Sequence, residues 1–137
     1  MNRRDAEAQR INQLTELVIG FCIEIHKTLG PGLLESAYEE CLCYELINNK
    51  TSFERQKDLP VSYKDIHLEK GFRLDVVVEG ILLVELKSTA TLLPVHEAQV
   101  LTYLRLTGIS AGLLINFNSP TLISGLKRLV NNFPDVS

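Results

Sequence analysis

The chain has 137 residues, 45% hydrophobic and 23% charged, with a formal net charge of -3, which suits one globular domain over residues 1–137 and excludes two of ordinary size or a disordered chain. The acidic balance leaves any polyanion contact to a local patch or to metal ions, because whole-chain basicity is absent. Val76–Val78 and Ile81–Val84 fall far short of the roughly 20 apolar residues of a membrane span, and MNRRDAEAQR is charged where an export signal would be apolar, so a cytoplasmic protein without a membrane segment is expected.

From Ala8 to Leu29 the apolar residues Ile11, Leu14, Leu17, Val18, Phe21, Cys22, Ile25 and Leu29 recur at steps of three and four, the period of a helix with one buried face. Gly30-Pro31-Gly32 breaks it, and a second helix is expected from Leu33 to Ile47, with Glu35 in its first turn. PVSYKDIHLEK, from Pro60 to Lys70, alternates as a half-exposed strand. Phe72–Val78 and Ile81–Lys87 follow as an antiparallel hairpin around Glu79-Gly80. Pro94 opens a third helix that Gly108 ends, Ala111–Phe117 reads as a buried strand, and Ser119-Pro120 leads into a last helix to Asn132 with Leu122, Ile123, Leu126, Leu129 and Val130 as its apolar stripe. The helix between the third and fourth strands is a crossover that makes those two parallel. The expected fold is therefore α/β, a mixed central sheet flanked by helices. Cys22, Cys41 and Cys43 are odd in number and sit in apolar helical patterns, which fits small buried thiols and no zinc site.

RLDVVVEGILLVELKS places Asp75, Glu85 and Lys87 in this dry hairpin. Glu85 and Lys87 share a face because they lie two apart on one strand. A two-residue loop would put Asp75 on the other face. A three-residue loop Val78-Glu79-Gly80, with Gly80 left-handed, pairs Asp75 with Leu83 and Arg73 with Glu85, and sets the two carboxylates about 7 to 8 Å apart as diagonal neighbours. Two buried carboxylates repel and lose hydration unless a cation bridges them, so the odd loop and a Mg²⁺ or Mn²⁺ site are expected. Hard oxygen ligands, a cation and a lysine that activates water or stabilises developing charge suit phosphodiester hydrolysis. Spacing alone leaves structural ion pairs with Arg73 and Lys87 equally open.

The block GPGLLESAYEECL resembles the GxxExxY family at Gly32, Glu35 and Tyr38, and RLDVVVEGILLVELKS resembles the signature of the PD-(D/E)XK nuclease superfamily at Asp75, Glu85 and Lys87. The likeness continues through HEAQVLTYLRLTG and GLLINFN, with Leu74 where the name-giving motif has proline. It implies a restriction-endonuclease-like core of helix, three strands, helix and strand, here with an extra N-terminal and an extra C-terminal helix. It further implies a metal held by Glu35, Asp75 and Glu85, a catalytic Lys87, and a QxxxY element at Gln99 and Tyr103, four residues apart on one helix face. The expected partner is nucleic acid, DNA before RNA. A nuclease-fold binding or scaffold module is the other reading, favoured by small size and acidity, since so compact a core grips long duplex weakly unless it forms a homodimer.

Among the remaining residues, Tyr38 also belongs to a core stripe with Ala37, Cys41 and Leu42, and packing is the role expected of it. His26 and His96 each lack a second histidine at helical spacing, and structural or helix-end roles suit them; His96, three residues before Gln99, is the better candidate for the site. Arg73 suits either phosphate or Glu85. Arg3, Arg4, Arg10, Lys127 and Arg128 read as solvated faces.

Overall fold

The computed structural model describes residues 2–134. Helix α1 (Arg3–Leu29) is capped by the Asn2 side chain, which accepts from the Asp5 amide at 2.8 Å, and α2 (Glu35–Asn48) follows the Gly-Pro-Gly break. Strands β1 (Phe53–Tyr63), β2 (Ile66–Val78) and β3 (Leu82–Lys87) come next, then α3 (Pro94–Thr107), β4 (Ala111–Asn116) and β5 (Leu126–Val130), with a 3₁₀ turn at Ile123–Gly125 before the last. The sheet order is β1-β2-β3-β4-β5. Every neighbouring pair is antiparallel except β3 and β4, which the α3 crossover makes parallel. Among the described residues, no helix is long and apolar enough to cross a membrane.

The sheet is covered on both faces. The stripe Ile11, Leu14, Val18, Cys22 and Ile25 of α1, with Tyr38, Leu42 and Leu46 of α2, packs on Val76, Val78, Leu82, Val84, Leu113 and Ile115. Helix α3 covers the other face, where Val100 and Leu104 meet Leu74, Val77, Leu83 and Leu114. Cys22 and Cys43 are buried free thiols, and Cys41 is partly buried. Burial pushes the Cys43 thiol up to about 11, with Arg55 opposing and the Glu39 and Glu40 charges adding to it, so it stays protonated at neutral pH.

Three sequence expectations are corrected. The C-terminal helix is absent, because Leu126–Val130 runs as β5, pairing Leu126 with Ile115 and Val130 with Ala111. The stripe that fitted a helical period meets an open edge of the sheet, where backbone pairing with β4 outweighs local pattern. The strand expected over residues 60–70 is two strands around a Lys64-Asp65 turn, with Lys64 at φ 50° and Tyr63 facing Ile66; β1 starts earlier, at Phe53. The β2–β3 loop does have three residues, but they are Glu79-Gly80-Ile81, since Val78 pairs with Leu82. Glu79 and Gly80 are both left-handed, at φ 51° and 71°, and Ile81 N–H donates to the Val78 carbonyl at 3.0 Å. Arg10 of α1 holds the left-handed Glu79 through a two-point ion pair.

Candidate active site

The loop frame decides how the charges meet. Val77 pairs with Leu83 and Val76 with Val84, and there the β2–β3 ladder stops. One step further, Asp75 lies opposite Glu85, rather than Leu83 as the spacing suggested. Side chains take over the missing rungs: Asp75 N–H donates to Glu85 Oε1 at 3.2 Å, and Leu86 N–H donates to Asp75 Oδ2 at 2.9 Å. Both carboxylates are thereby aimed into the fork where the strands part.

The other neighbour of β2 yields at the same level. Arg55 pairs with Val76 and Lys57 with Leu74, but Gln56 between them is left out of the ladder and stands at φ 50°. Such a left-handed non-glycine residue is strained and persists only where surrounding contacts impose it. The alternation of β2 slips here too, since Leu74 and Val77 both pack under α3 while Val76 and Val78 pack under α1 and α2. Asp75 therefore occupies a break in the sheet with no regular rung on either side.

Glu85 is only 5% exposed. Burial pushes its carboxyl up to about 9, the Asp75 charge and their mutual side-chain hydrogen bond push the same way, and the Asp75 N–H bond and the Lys87 charge oppose them. A neutral Glu85 buried opposite Asp75 is an acid pair that a dication would relieve. The donor chemistry fits Mg²⁺ or Mn²⁺, which use one or two carboxylates and leave positions for water and phosphate oxygens.

Glu35 opens α2, exposed, on the wall of a cleft of about 580 Å³ that also contains Asp75, Leu86 and Lys87. The structure brings it to the same cleft without completing a cluster: among the described residues, no three His, Cys, Asp or Glu side chains gather to hold a metal. Tyr38 explains how Glu35 is placed. Its buried hydroxyl donates to the Gly30 carbonyl at 2.6 Å and accepts from Leu33 N–H at 3.1 Å, and its ring stacks on Phe117 at 4.2 Å. Ser88 Oγ donates to the Leu33 carbonyl at 2.7 Å, tying the same turn to the end of β3 next to Lys87. The tyrosine is thus a core residue that fixes the entry to α2.

Lys87 borders two clefts, the one on the α2 side and a wider one of about 700 Å³ on the α3 side that includes Phe72, His96, Gln99 and Tyr103. Gln99 Nε2 donates to the Tyr103 hydroxyl at 2.8 Å, and Tyr103 stacks on Phe72 at 5.0 Å. Burial raises the Tyr103 phenol, with the Glu85 and Asp75 charges adding to it and Gln99 opposing. His96 lines this cleft, but its Nδ1 accepts from Leu93 N–H at 3.0 Å and so caps α3. His26 lies elsewhere, its Nε2 at 2.9 Å from the Ser119 carbonyl. Arg73 turns to Asp58 at 3.0 Å and not to Glu85, which removes the ion pair that spacing allowed.

Sequence reasoning missed Glu39, Arg55 and Gln56. Glu39 is buried on the α2-side cleft and takes Arg55 Nη2 and Gln56 Nε2, each at 2.6 Å. Arg55 is held above its ordinary value by hydrogen bonds to Glu39 and Glu40, a mark of a tight ion pair. The signal was there in the spacing, since Glu39 follows Glu35 by four residues and shares its helix face.

No curated protein and no solved structure matches the chain. A family model described as the PD-(D/E)XK nuclease superfamily matches residues 12–129, from inside α1 to inside β5, and so takes in the fork, Lys87 and both clefts. Nucleases of this superfamily generally use divalent metal ions. With a mixed five-stranded sheet and helices on both faces to match, the chain belongs to the PD-(D/E)XK nuclease superfamily.

Proposed function

We propose that the protein is a divalent-metal-dependent nuclease of the GxxExxY branch that hydrolyses phosphodiester bonds in DNA, or in RNA. The observation that carries this reading is the fork, where two facing carboxylates, one held neutral by burial, are steered by backbone N–H groups beside Lys87. Asp75 and Glu85 would hold Mg²⁺ or Mn²⁺, with Glu35 across the cleft. Bound there, the cation would polarise a phosphoryl oxygen and acidify its water.

The chain's own residues supply the rest. Lys87 sits where the two clefts meet and presents a compact, movable charge, suited to orienting or deprotonating water and to stabilising charge on phosphate. Gln99 spends one N–H on Tyr103, which leaves the glutamine oxygen as an acceptor and the phenol proton as a donor on the cleft wall. That pair can fix a water or a phosphate next to Lys87. Burial of Glu85 and Leu86 keeps the floor of the fork dry, which strengthens each charge interaction there.

Calorimetric titration with Mg²⁺ and Mn²⁺, run on the wild type, Asp75→Ala and Glu85→Ala, tests the site. Saturable heat in the wild type that both variants lose is expected, together with metal-dependent nicking of plasmid DNA or cutting of labelled RNA. Absence of metal heat in the wild type would sink the nuclease mechanism. Metal binding without cleavage of any nucleic acid would mark a nuclease-fold binding module instead.

A further inference from the structure

Gln56 is held in a strained position next to the acid fork. It stands level with Asp75 in the β1–β2 register, between the Arg55–Val76 and Lys57–Leu74 pairs, and forgoes its rung for a left-handed backbone at φ 50°. Strain of this kind gathers at functional sites, where surrounding contacts impose it. The imposing contact is Glu39 on α2, only 5% exposed, whose Oε1 accepts from Gln56 Nε2 at 2.6 Å. Arg55 occupies the other oxygen through Nη2 and Nε, at 2.6 and 3.1 Å.

This clamp settles which way the amide is turned. A carboxylate only accepts, so nitrogen is the end of the Gln56 amide that meets Glu39, and oxygen is the end left over. Among the described residues no donor reaches that oxygen. Gln56 lines the same cleft as Glu35, Asp75 and Lys87, so its free acceptor belongs to the cleft into which the fork opens.

An amide suits a place between a buried anion and a cation site, because it donates at one end and accepts at the other. A carboxylate at position 56 would be repelled by Glu39 and would add charge beside Glu35 and Asp75, and a lysine would repel the cation. Among the described residues no three acidic, histidine or cysteine side chains gather to hold a metal, which leaves a part for a neutral oxygen. Asp75 and Glu85 fill only some of the octahedral oxygen shell of Mg²⁺, an ion that keeps several waters.

We infer that Gln56 is a further residue of the metal site, its side-chain oxygen serving the hydrated cation that Asp75 and Glu85 would hold, with buried Glu39 and Arg55 as the positioning clamp that aims it. The inference rests on the nuclease reading and gives the Glu39–Arg55 pair a role beyond stability.

Calorimetric titration of the full chain with Mg²⁺ tests it on the wild type, Gln56→Met, Glu39→Gln and the double variant. Gln56→Met keeps the length of the side chain without its donor or acceptor, and should weaken metal binding about ten-fold, as loss of a contact around a metal's ligands does. Glu39→Gln lets the Gln56 amide turn over and should weaken binding less, while the double variant should bind no more weakly than Gln56→Met alone. In the wild type, saturating Mg²⁺ should shift the NMR signal of the Gln56 side-chain NH₂, assigned through bonds to its own backbone, a readout that depends on no variant folding. Wild-type affinity in Gln56→Met, additive losses in the double variant, or an NH₂ signal that Mg²⁺ leaves in place would each overturn the assignment while leaving the acid fork intact. Absence of metal heat in the wild type would instead remove the nuclease reading, and this inference with it.

Discussion

Glu85→Gln should make the metal-free protein more stable, an unusual outcome for a change at the centre of a candidate active site. Glu85 titrates near 9 in the fold, against an ordinary value of 4.5. At pH 7 the unfolded chain releases this proton and the folded chain keeps it, so folding must take up a proton at a cost of about 1.36 kcal/mol for each of roughly 2.5 pH units, about 3 kcal/mol. Glutamine carries no such cost. Its oxygen still accepts from Asp75 N–H, and its amide can donate toward Asp75 as the protonated acid does. Allowing for relaxation of the pair, the variant should gain about 1.5 to 3 kcal/mol at pH 7.

The sign fixes the pH profile. Because the folded value is raised, the wild type keeps its full stability below pH 4.5 and loses it progressively as pH rises toward 9. The advantage of Glu85→Gln should therefore be absent at pH 4 and grow through neutrality. Urea unfolding of both proteins at a series of pH values, in chelator, reads this directly. Saturating Mg²⁺ should reverse the order, since only the wild type offers two charged ligands, and its binding at pH 7 should release close to one proton. Equal stability of the two proteins at pH 7 without metal would refute the picture of a buried, protonated Glu85.

Three further outcomes follow from contacts already described. Tyr38→Phe leaves the Gly30 carbonyl and Leu33 N–H without their shared hydroxyl and should cost about 1 to 3 kcal/mol in chemical unfolding. Arg55→Ala strips the buried Glu39 carboxylate of its cation and should cost about 3 kcal/mol, with Glu39→Gln in the same chain recovering part of the loss. Lys87→Ala should retain metal heat in the titration while lowering the cleavage rate by at least about 100-fold, a split that a general loss of folding would not produce.

How far the sequence reveals this molecule depends on whether local pattern or distant contact decides each part. The α1 stripe, the Gly108 end of α3 and the parallel β3–β4 pair were legible, because helical period, a left-handed cap and a crossover are local or topological facts. The last segment was not, since Leu122 to Val130 fits a helix and only the open edge of β4 makes part of it a strand. The Lys64-Asp65 turn hid inside an unbroken alternation, as Tyr63 and Ile66 continue the pattern across it. Convergence of Asp75 and Glu85 was legible from parity, which any odd loop preserves. Their direct opposition was not, because it depends on the left-handed turn at Glu79, which Arg10 secures from 69 residues away. Glu39 shows the same limit in the site: its helix position was readable, but its partner Arg55 arrives from a strand whose start the sequence did not mark.

The early end of the β2–β3 ladder has a consequence for how the site is kept ready. Had Val76 and Val84 been followed by another regular rung, the N–H groups of Asp75 and Leu86 would be spent on strand carbonyls, leaving the acids free to swing. Instead each of those N–H groups holds one carboxyl oxygen, and the remaining oxygens, which share the acid-to-acid proton, are turned toward each other, where the proposed cation would replace that proton. A less regular sheet is in this way a better-aimed one: two forgone strand contacts fix the direction of both acids without a cation to hold them.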